Sequence, residues 1–259
     1  IQQYGPCDEW DDRFGFIPPL TDDVLFWAWD IPEKGPEVPE EAKKAATRLA
    51  RKALTAGGKG DDVPVGLVAL AGDPALAFEP EHDVYVSLFR PGETKRLRGV
   101  ASEGDLGQRV ALATGRALDS AHDREEWEAN AADVRFVVDV LGPSFPIPGR
   151  ELRSFWYFLE PGVDGLVVTN GSETGVVLPA EPVTQGFLSP RVTKRDEKLP
   201  RVLAEGCKRA GLGGGAWEKP ETDLQRFRST SFGEVLPGQG SVDVYRGNVL
   251  IGDQSSEDI

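Results

Sequence analysis

Leu166-Val167-Val168-Thr169-Asn170-Gly171-Ser172-Glu173-Thr174-Gly175-Val176-Val177-Leu178 is the stretch that decides the fold class. Two short β-branched runs flank Asn170-Gly171, a dipeptide that accepts positive φ at little steric cost and closes tight hairpins. Residues 166–169 and 176–178 are therefore expected to pair as antiparallel strands, with Gly175 opening the return strand. The neighbouring segments have the same amphipathic character. Residues 83–89 alternate Val84, Val86 and Leu88 with Tyr85, Ser87 and Phe89, and residues 135–141 also read as a strand. Further strands are expected at 63–71, 227–235 and 242–251, the last folded back at Arg246-Gly247-Asn248.

Helices are interspersed among these strands. Pro39 suits a first helical position, and Glu40 and Glu41 suit the positive end of a helix dipole. Ala42, Ala45, Ala46, Leu49, Ala50 and Ala53 then fall on one face, and Gly57-Gly58 ends the element. Lys43, Lys44, Arg48, Arg51 and Lys52 lie largely outside that stripe and are expected to form a solvated face. Ser102-x-x-Asp105 reads as a helix-start box ahead of Leu106, Val110, Ala113 and Ala117. Residues 199–210 carry the stripe Leu199, Val202, Leu203, Gly206, Cys207 and Ala210, stopped by Gly211. Hairpin-prone amphipathic strands among helices specify an α+β fold with a mostly antiparallel sheet, not a doubly wound parallel one.

Composition bounds the function. The 259 residues contain 39% apolar and 28% charged side chains, a globular mix with room for a real core. The longest nearly apolar run, 63–72, is too short for a transmembrane helix. With 29 Lys+Arg against 43 Asp+Glu the net charge is −14, a field that repels nucleic acid and anionic lipid. Cys7, His82, His122 and Cys207 are the whole complement of Cys and His and lie far apart in sequence, so neither a zinc site nor any other metal or cofactor is expected. The chain has no methionine, so Ile1 is not a translational start. Removal of a signal peptide would place the protein in the periplasm or outside the cell; a trimmed cytoplasmic chain is the alternative.

Three segments follow. Residues 1–38 form an arm rich in aromatics, Tyr4, Trp10, Phe14, Phe16, Phe26, Trp27 and Trp29, with the acidic group Asp8, Glu9, Asp11 and Asp12. An arm this aromatic is expected to pack, on its own domain or on another subunit. Residues 39–236 form the α+β domain, and residues 237–259 a hairpin with an acidic tail.

The order of four motifs within the domain resembles the AMMECR family. They are the helix at 41–54 with the strand at 83–89 and Leu97-Arg98-Gly99; the strand at 135–141; Pro161-Gly162-Val163-Asp164-Gly165-Leu166 with Gly171, Gly175 and Val176-Val177-Leu178-Pro179; and Cys207-Lys208-Arg209-Ala210-Gly211-Leu212 with Trp217 and Arg226-Phe227. The resemblance implies the family's α+β fold, and a role either as a nucleotide-related enzyme or as a partner in a larger assembly. It also exposes a departure. The family's Leu-Arg-Gly-Cys-Ile-Gly reads Leu97-Arg98-Gly99-Val100-Ala101-Ser102 here, and valine can be neither nucleophile nor metal ligand. Its Leu-Pro-Gln-Val reads Leu178-Pro179-Ala180-Glu181-Pro182-Val183.

Candidate site residues follow from these readings. Arg98, at a strand-to-loop junction, offers a guanidinium for clamping an anion, or for a structural ion pair. His122-Asp123 follows the second helix, where the family also has an aspartate, and offers a general base or merely a helix end. Glu79, Glu81, His82 and Asp83 match no calcium loop and mark a strand entry. Cys207 lies on an apolar helix face as an inert thiol; the alternative is a Cys7–Cys207 disulfide tying the arm to the core. Neither Gly211-Leu212-Gly213-Gly214-Gly215 nor Ala56-Gly57-Gly58-Lys59-Gly60 has the placement of a phosphate cradle. Asn170-Gly171-Ser172 fits a glycosylation sequon but serves first as a turn.

The leading expectation is a non-catalytic exported protein acting through contacts with protein subunits, itself included, with Trp10, Phe14, Phe16, Trp27 and Trp29 as the contact residues. One alternative is an enzyme whose pocket is built around Arg98, His122 and Asp123. The other is a small-ligand or carbohydrate-binding module using exposed tryptophans.

Overall fold

The hairpin is present and nucleates one edge of the sheet. In the computed structural model β4 (Gly165–Asn170) and β5 (Glu173–Val177) are antiparallel, with Leu166 opposite Val177 and Asn170 opposite Glu173. The loop is one residue later than the sequence suggests: Asn170 is still in the ladder and Gly171, at φ 61°, makes the turn with Ser172. The structure describes residues 35–56, 73–90, 96–150, 152, 155, 158–160, 162–184, 195–234, 236–238 and 240–243. All of them belong to one unit, Glu33–Ile259. The aromatic residues of the arm, Cys7, the expected strand at 63–71, the fold-back at 246–248 and the acidic tail lie outside the described residues.

The remaining strands are β1 (Val84–Phe89), β2 (Arg96–Ala101), β3 (Arg135–Pro146), β6 (Asp223–Gly233) and β7 (Val242–Asp243). Their order is β2-β1-β3-β6-β4-β5, with β7 paired to the end of β6, and every ladder is antiparallel. β3 runs five residues past its expected end, with a register shift between Leu141 and Ser144. Bulges of this kind bend a strand, and here the bend sits in the middle of the sheet and helps it curl. β2 is a strand along its whole length, so Arg98 sits mid-strand instead of at a loop junction.

The helices pack on the convex face. α1 (Glu40–Ala56) buries the whole alanine-leucine stripe read from its sequence. It starts one residue later than expected, and the Pro39 carbonyl accepts from Lys43 N at 3.0 Å. Its basic face is not wholly solvated: Arg51 turns inward, donates to the Ala131 and Val134 carbonyls at 2.6 and 2.7 Å, and pairs with the buried Glu234. α2 (Leu106–Asp119) is capped by Asp105, whose carboxylate accepts from Gln108 N at 2.8 Å, so the cap lies three residues beyond Ser102. α3 (Arg124–Ala129) follows, and α4 (Glu181–Thr184) is a single turn after β5. α5 (Arg195–Arg209) carries Pro200 inside it and packs on β4 and β5.

Val84, Val86, Leu88, Leu97, Ala101, Phe136, Val138, Val140 and Phe232 meet α1 and α2 in the main core. Glycine makes this spacing possible in the Leu97-Arg98-Gly99 motif. A Cβ on Gly99 would run into the Ala113 carbonyl, so α2 lies directly on the β2 backbone. Gly175 does the same for α5, whose Gly206 carbonyl sits where a Cβ would go. Among the described residues no helix is long and apolar enough to cross a membrane.

Candidate functional site

The concave face of the sheet is organised in rows by strand register. Arg96, Phe89 and Arg135 stand abreast across β2, β1 and β3. Arg98, Ser87 and Val137 form the next row, and Val100, Tyr85, Asp139 and Ser231 the third, which reaches β6. Side chains recur on one strand face every second residue, so all three rows lie opposite the helix-packed core.

β2 and β5 are the two ends of the strand order, and the curl brings them together. Arg98 Nη1 on β2 donates to the Val176 carbonyl of β5 at 2.9 Å and to both Glu181 carboxylate oxygens at 3.3 Å. Arg209, at the end of α5, donates to the same carbonyl at 2.8 Å and to Glu181 Oε2 at 2.5 Å, while its Nε bonds Glu205. Leu178 N adds a third donor to Glu181 at 2.7 Å. Glu181 is only 4% exposed, and a carboxylate so buried is costly without such partners. Side chains therefore close the seam, with no β2–β5 ladder among the described residues. The two guanidiniums also cover an edge carbonyl that would otherwise template a foreign strand.

On the same face Tyr85, Leu141, Leu178 and Phe227 form a buried apolar floor, with the partly buried Val100, Val167 and Val176 packed against it. Val100, at the position of the family cysteine, is thus on the concave face of β2, two residues along the strand from Arg98. The Arg98 guanidinium carbon lies 5.2 Å from the Tyr85 ring centroid. Burial pushes the Tyr85 hydroxyl up to about 12 against the pull of Arg98. Asp139 is buried in the same wall with Ser231 Oγ as its donor. Burial pushes its carboxyl up to about 6; the Ser231 hydrogen bond opposes this, Glu181 adds to it, and Arg96 and Arg98 oppose it. Burial pulls Arg96 down to about 10, against Glu181 and Asp139.

The sequence-derived candidates separate. Arg98 is in the concavity. His122 and Asp123 lie in the turn between α2 and α3 on the convex side, where the Asp123 carbonyl accepts from Glu126 N and Trp127 N. The structure does not bring them to Arg98, so the expected pocket of those three residues is not formed. His82 and Asp83 give backbone carbonyls to Arg109 and Leu141, as a strand entry should. Cys207 is a buried free thiol whose pKa burial raises, and Cys7 lies outside the described residues. Among the described residues no three His, Cys, Asp or Glu side chains converge as a metal site.

Sequence reasoning missed Asp139, Glu181, Arg209, Arg96 and Tyr85. Asp139 had a signal, a single acid in a β-branched run on the same parity as Tyr85. Glu181 and Arg209 sat inside motifs quoted only for their resemblance, and nothing local marks them as partners. The Asp164 of Pro161-Gly162-Val163-Asp164-Gly165 proves structural: it is buried and accepts from Glu160 N at 2.7 Å, Arg226 Nη1 at 3.4 Å and Arg228 Nε at 2.6 Å.

The fold and several sequences are matched elsewhere. A solved structure of an uncharacterized protein from Pyrococcus horikoshii superposes with a TM-score of 0.61 at 23% identity, over 80% of this chain and 98% of that one. A protein of Aeropyrum pernix is 28% identical over 79% of this chain and 86% of its own length. One from Methanopyrus kandleri is 25% identical over 78% and 93%. A Thermococcus gammatolerans protein is 37% identical over a shorter match, 39% of this chain and 43% of the relative. The AMMECR1 family model matches residues 47–232, from within α1 to the penultimate residue of β6. The chain therefore belongs to the AMMECR1 family.

Proposed function

We propose that this chain is a non-catalytic binding protein whose binding surface is the concave face of the curled sheet. The observation that carries this reading is the placement of Val100. The position that bears a thiol in the family motif lies on the concave face of β2, two residues from Arg98 and packed against the Tyr85–Leu178 floor, and here it is aliphatic. The wall keeps its charged groups and apolar floor, which suit binding, but lacks the sulfur needed for nucleophilic or metal chemistry at that point.

The test is a thermal-shift panel of sugars, nucleotides, amino acids and organic acids on the full chain, repeated with Val100→Trp, which fills the concavity, and Val100→Ala, which does not. A compound that stabilises the parent and V100A but not V100W is the expected result. A panel without any such compound, or chemical conversion of the compound recovered after incubation, overturns the reading.

A second reading, assembly with protein subunits, is favoured by the aromatic content of residues 1–38. It places contact residues Trp10, Phe14, Phe16, Trp27 and Trp29 on the arm and is compatible with a ligand-binding sheet. Export, which rests on sequence alone, would expose such an assembly to the periplasm or the medium.

A further inference from the structure

A chain of hydroxyls joins the buried Asp139 carboxyl to the more open part of the concave face. Asp139 is 1% exposed. Ser231 Oγ bonds its Oδ1, and Ser229 Oγ lies 3.2 Å from Ser231 Oγ. Both serines are half-buried and stand two residues apart on β6, Ser231 opposite Asp139 and Ser229 opposite Leu141 of the apolar floor. Among the described residues these three side chains have no other hydrogen-bond partner.

A hydroxyl has one proton to give and two lone pairs, so the buried end of the chain orders its protons. With Asp139 ionised, Ser231 must donate to the carboxylate and Ser229 must donate to Ser231. Ser229 Oγ then offers the concavity lone pairs only. With Asp139 protonated, its O–H donates to Ser231, Ser231 donates to Ser229, and the Ser229 proton turns outward. Any other order leaves the buried carboxyl proton without an acceptor, which is costly. The reversal moves protons and no heavy atom.

The groups that face Asp139 are Tyr85 of β1, Arg96 and Arg98 of β2 and Glu181 of α4. Tyr85 in turn feels Asp83 and Arg209. On this face Arg96, Arg98, Arg135 and Arg209 are matched by Asp83, Asp139, Glu181 and Glu205, the last bonded to Arg209. Net charge therefore selects neither an anion nor a cation, and the hydroxyl chain is left to discriminate.

We infer that Ser229 is the specificity-determining polar contact of the concave face, taking the hydrogen-bond donor of an uncharged ligand while Asp139 is a carboxylate and an acceptor once Asp139 is protonated. The inference rests on the binding reading above and adds the ligand's class. At neutral pH that class is an uncharged, largely apolar molecule with an N–H or O–H for Ser229 and a body along the apolar floor.

The experiment is an amide NMR titration of the full chain at pH 5 and pH 8, on either side of the Asp139 carboxyl that burial pushes up to about 6. One probe is indole, whose N–H donates; the other is cyclohexanone, whose carbonyl only accepts. At pH 8 indole is expected to shift the Ser229 and Ser231 resonances with a Kd about fivefold or more below that of cyclohexanone, and at pH 5 the order is expected to reverse, as one net hydrogen bond requires. 1-Methylindole, which has no N–H, is expected to lose the advantage at pH 8. Asp139→Asn, whose carbonyl oxygen keeps Ser231 donating, is expected to favour indole at both pH values. Ser231→Ala cuts the chain and is expected to make the preference independent of pH. Far-UV circular dichroism and the melting temperature check that both variants are folded. The same preference at both pH values in the parent, or a reversal that persists in D139N or S231A, overturns the assignment. If neither probe shifts these resonances while another compound stabilises the parent and is lost in V100W, the Ser229 contact alone is wrong. If that panel also yields nothing, the binding function is wrong with it.

Discussion

Asp139 carries a carboxyl into the interior of the curl, where among the described residues the Ser231 hydroxyl donates to it. Its pKa, pushed by burial from 3.8 to about 6, makes a stability statement. Below 3.8 the group is neutral in both the folded and the unfolded chain and imposes no penalty. As pH rises through 6 the buried group must ionise, and the stability held at low pH is lost. Asp139→Asn keeps the volume and a carbonyl oxygen for Ser231 while removing the titration. In urea unfolding, D139N should match the parent near pH 4 and exceed it at pH 8 by up to about 3 kcal/mol, a two-unit shift converted at 1.4 kcal/mol per unit. If D139N is instead weaker than the parent at pH 8, Arg96 and Arg98 are holding a charged Asp139 and the balance of the wall is different. The residue scale is also where the sequence is least legible. Arg98 could be singled out because its motif names it. Its partners could not, because Glu181 lies 83 residues on and Arg209 a further 28, and only the closing of the sheet puts them on one carbonyl.

At the scale of elements, periodicity carried most of the fold. The alanine stripe of α1, the alternation in β1, the hairpin and the stripe of α5 depend on local spacing alone, and each was readable as such. What local spacing could not show was β2. Arg96-Leu97-Arg98-Gly99-Val100-Ala101 alternates cleanly, but two arginines and a glycine look like a loop until the glycine is seen to meet a helix backbone. The inward turn of Arg51 escaped for the same reason, since its acceptors come from Ala131, Val134 and Glu234. The closeness of helix to sheet yields a prediction at this scale. Gly99→Ala and Gly175→Ala each place a methyl where backbone of α2 or α5 already sits, with no flexible side chain to yield. Each should cost about 3 kcal/mol or more in urea unfolding. Gly213→Ala, with nothing within 4 Å of its Cβ, should stay within about 0.5 kcal/mol of the parent. Parental stability in G99A would mean that α2 does not lie on β2 as described.

At the scale of the molecule, the arm and the sheet can be separated experimentally because their boundary is physically marked. Residues 35–38 belong to the sheet domain: Thr230 Oγ1 donates to the Pro36 carbonyl, a Cβ on Gly35 would collide with Ser229, and Val38 is 5% exposed. A cut at the sequence-derived boundary of 38 would therefore remove part of the core packing and confound assembly with stability. A cut after residue 34 leaves those contacts and removes every aromatic of the arm. If the arm mediates assembly, the full chain should sediment as an oligomer, and the protein lacking residues 1–34 as a monomer that still melts cooperatively close to the parental temperature. If the concave face is complete without the arm, the two should also bind a concave-face ligand alike. Two monomers with indistinguishable sedimentation would remove the assembly reading and leave the sheet as the working part. A shortened chain that melts without cooperativity would instead mean that the arm's aromatics complete the core, and that the stability of the domain depends on residues its family match does not include.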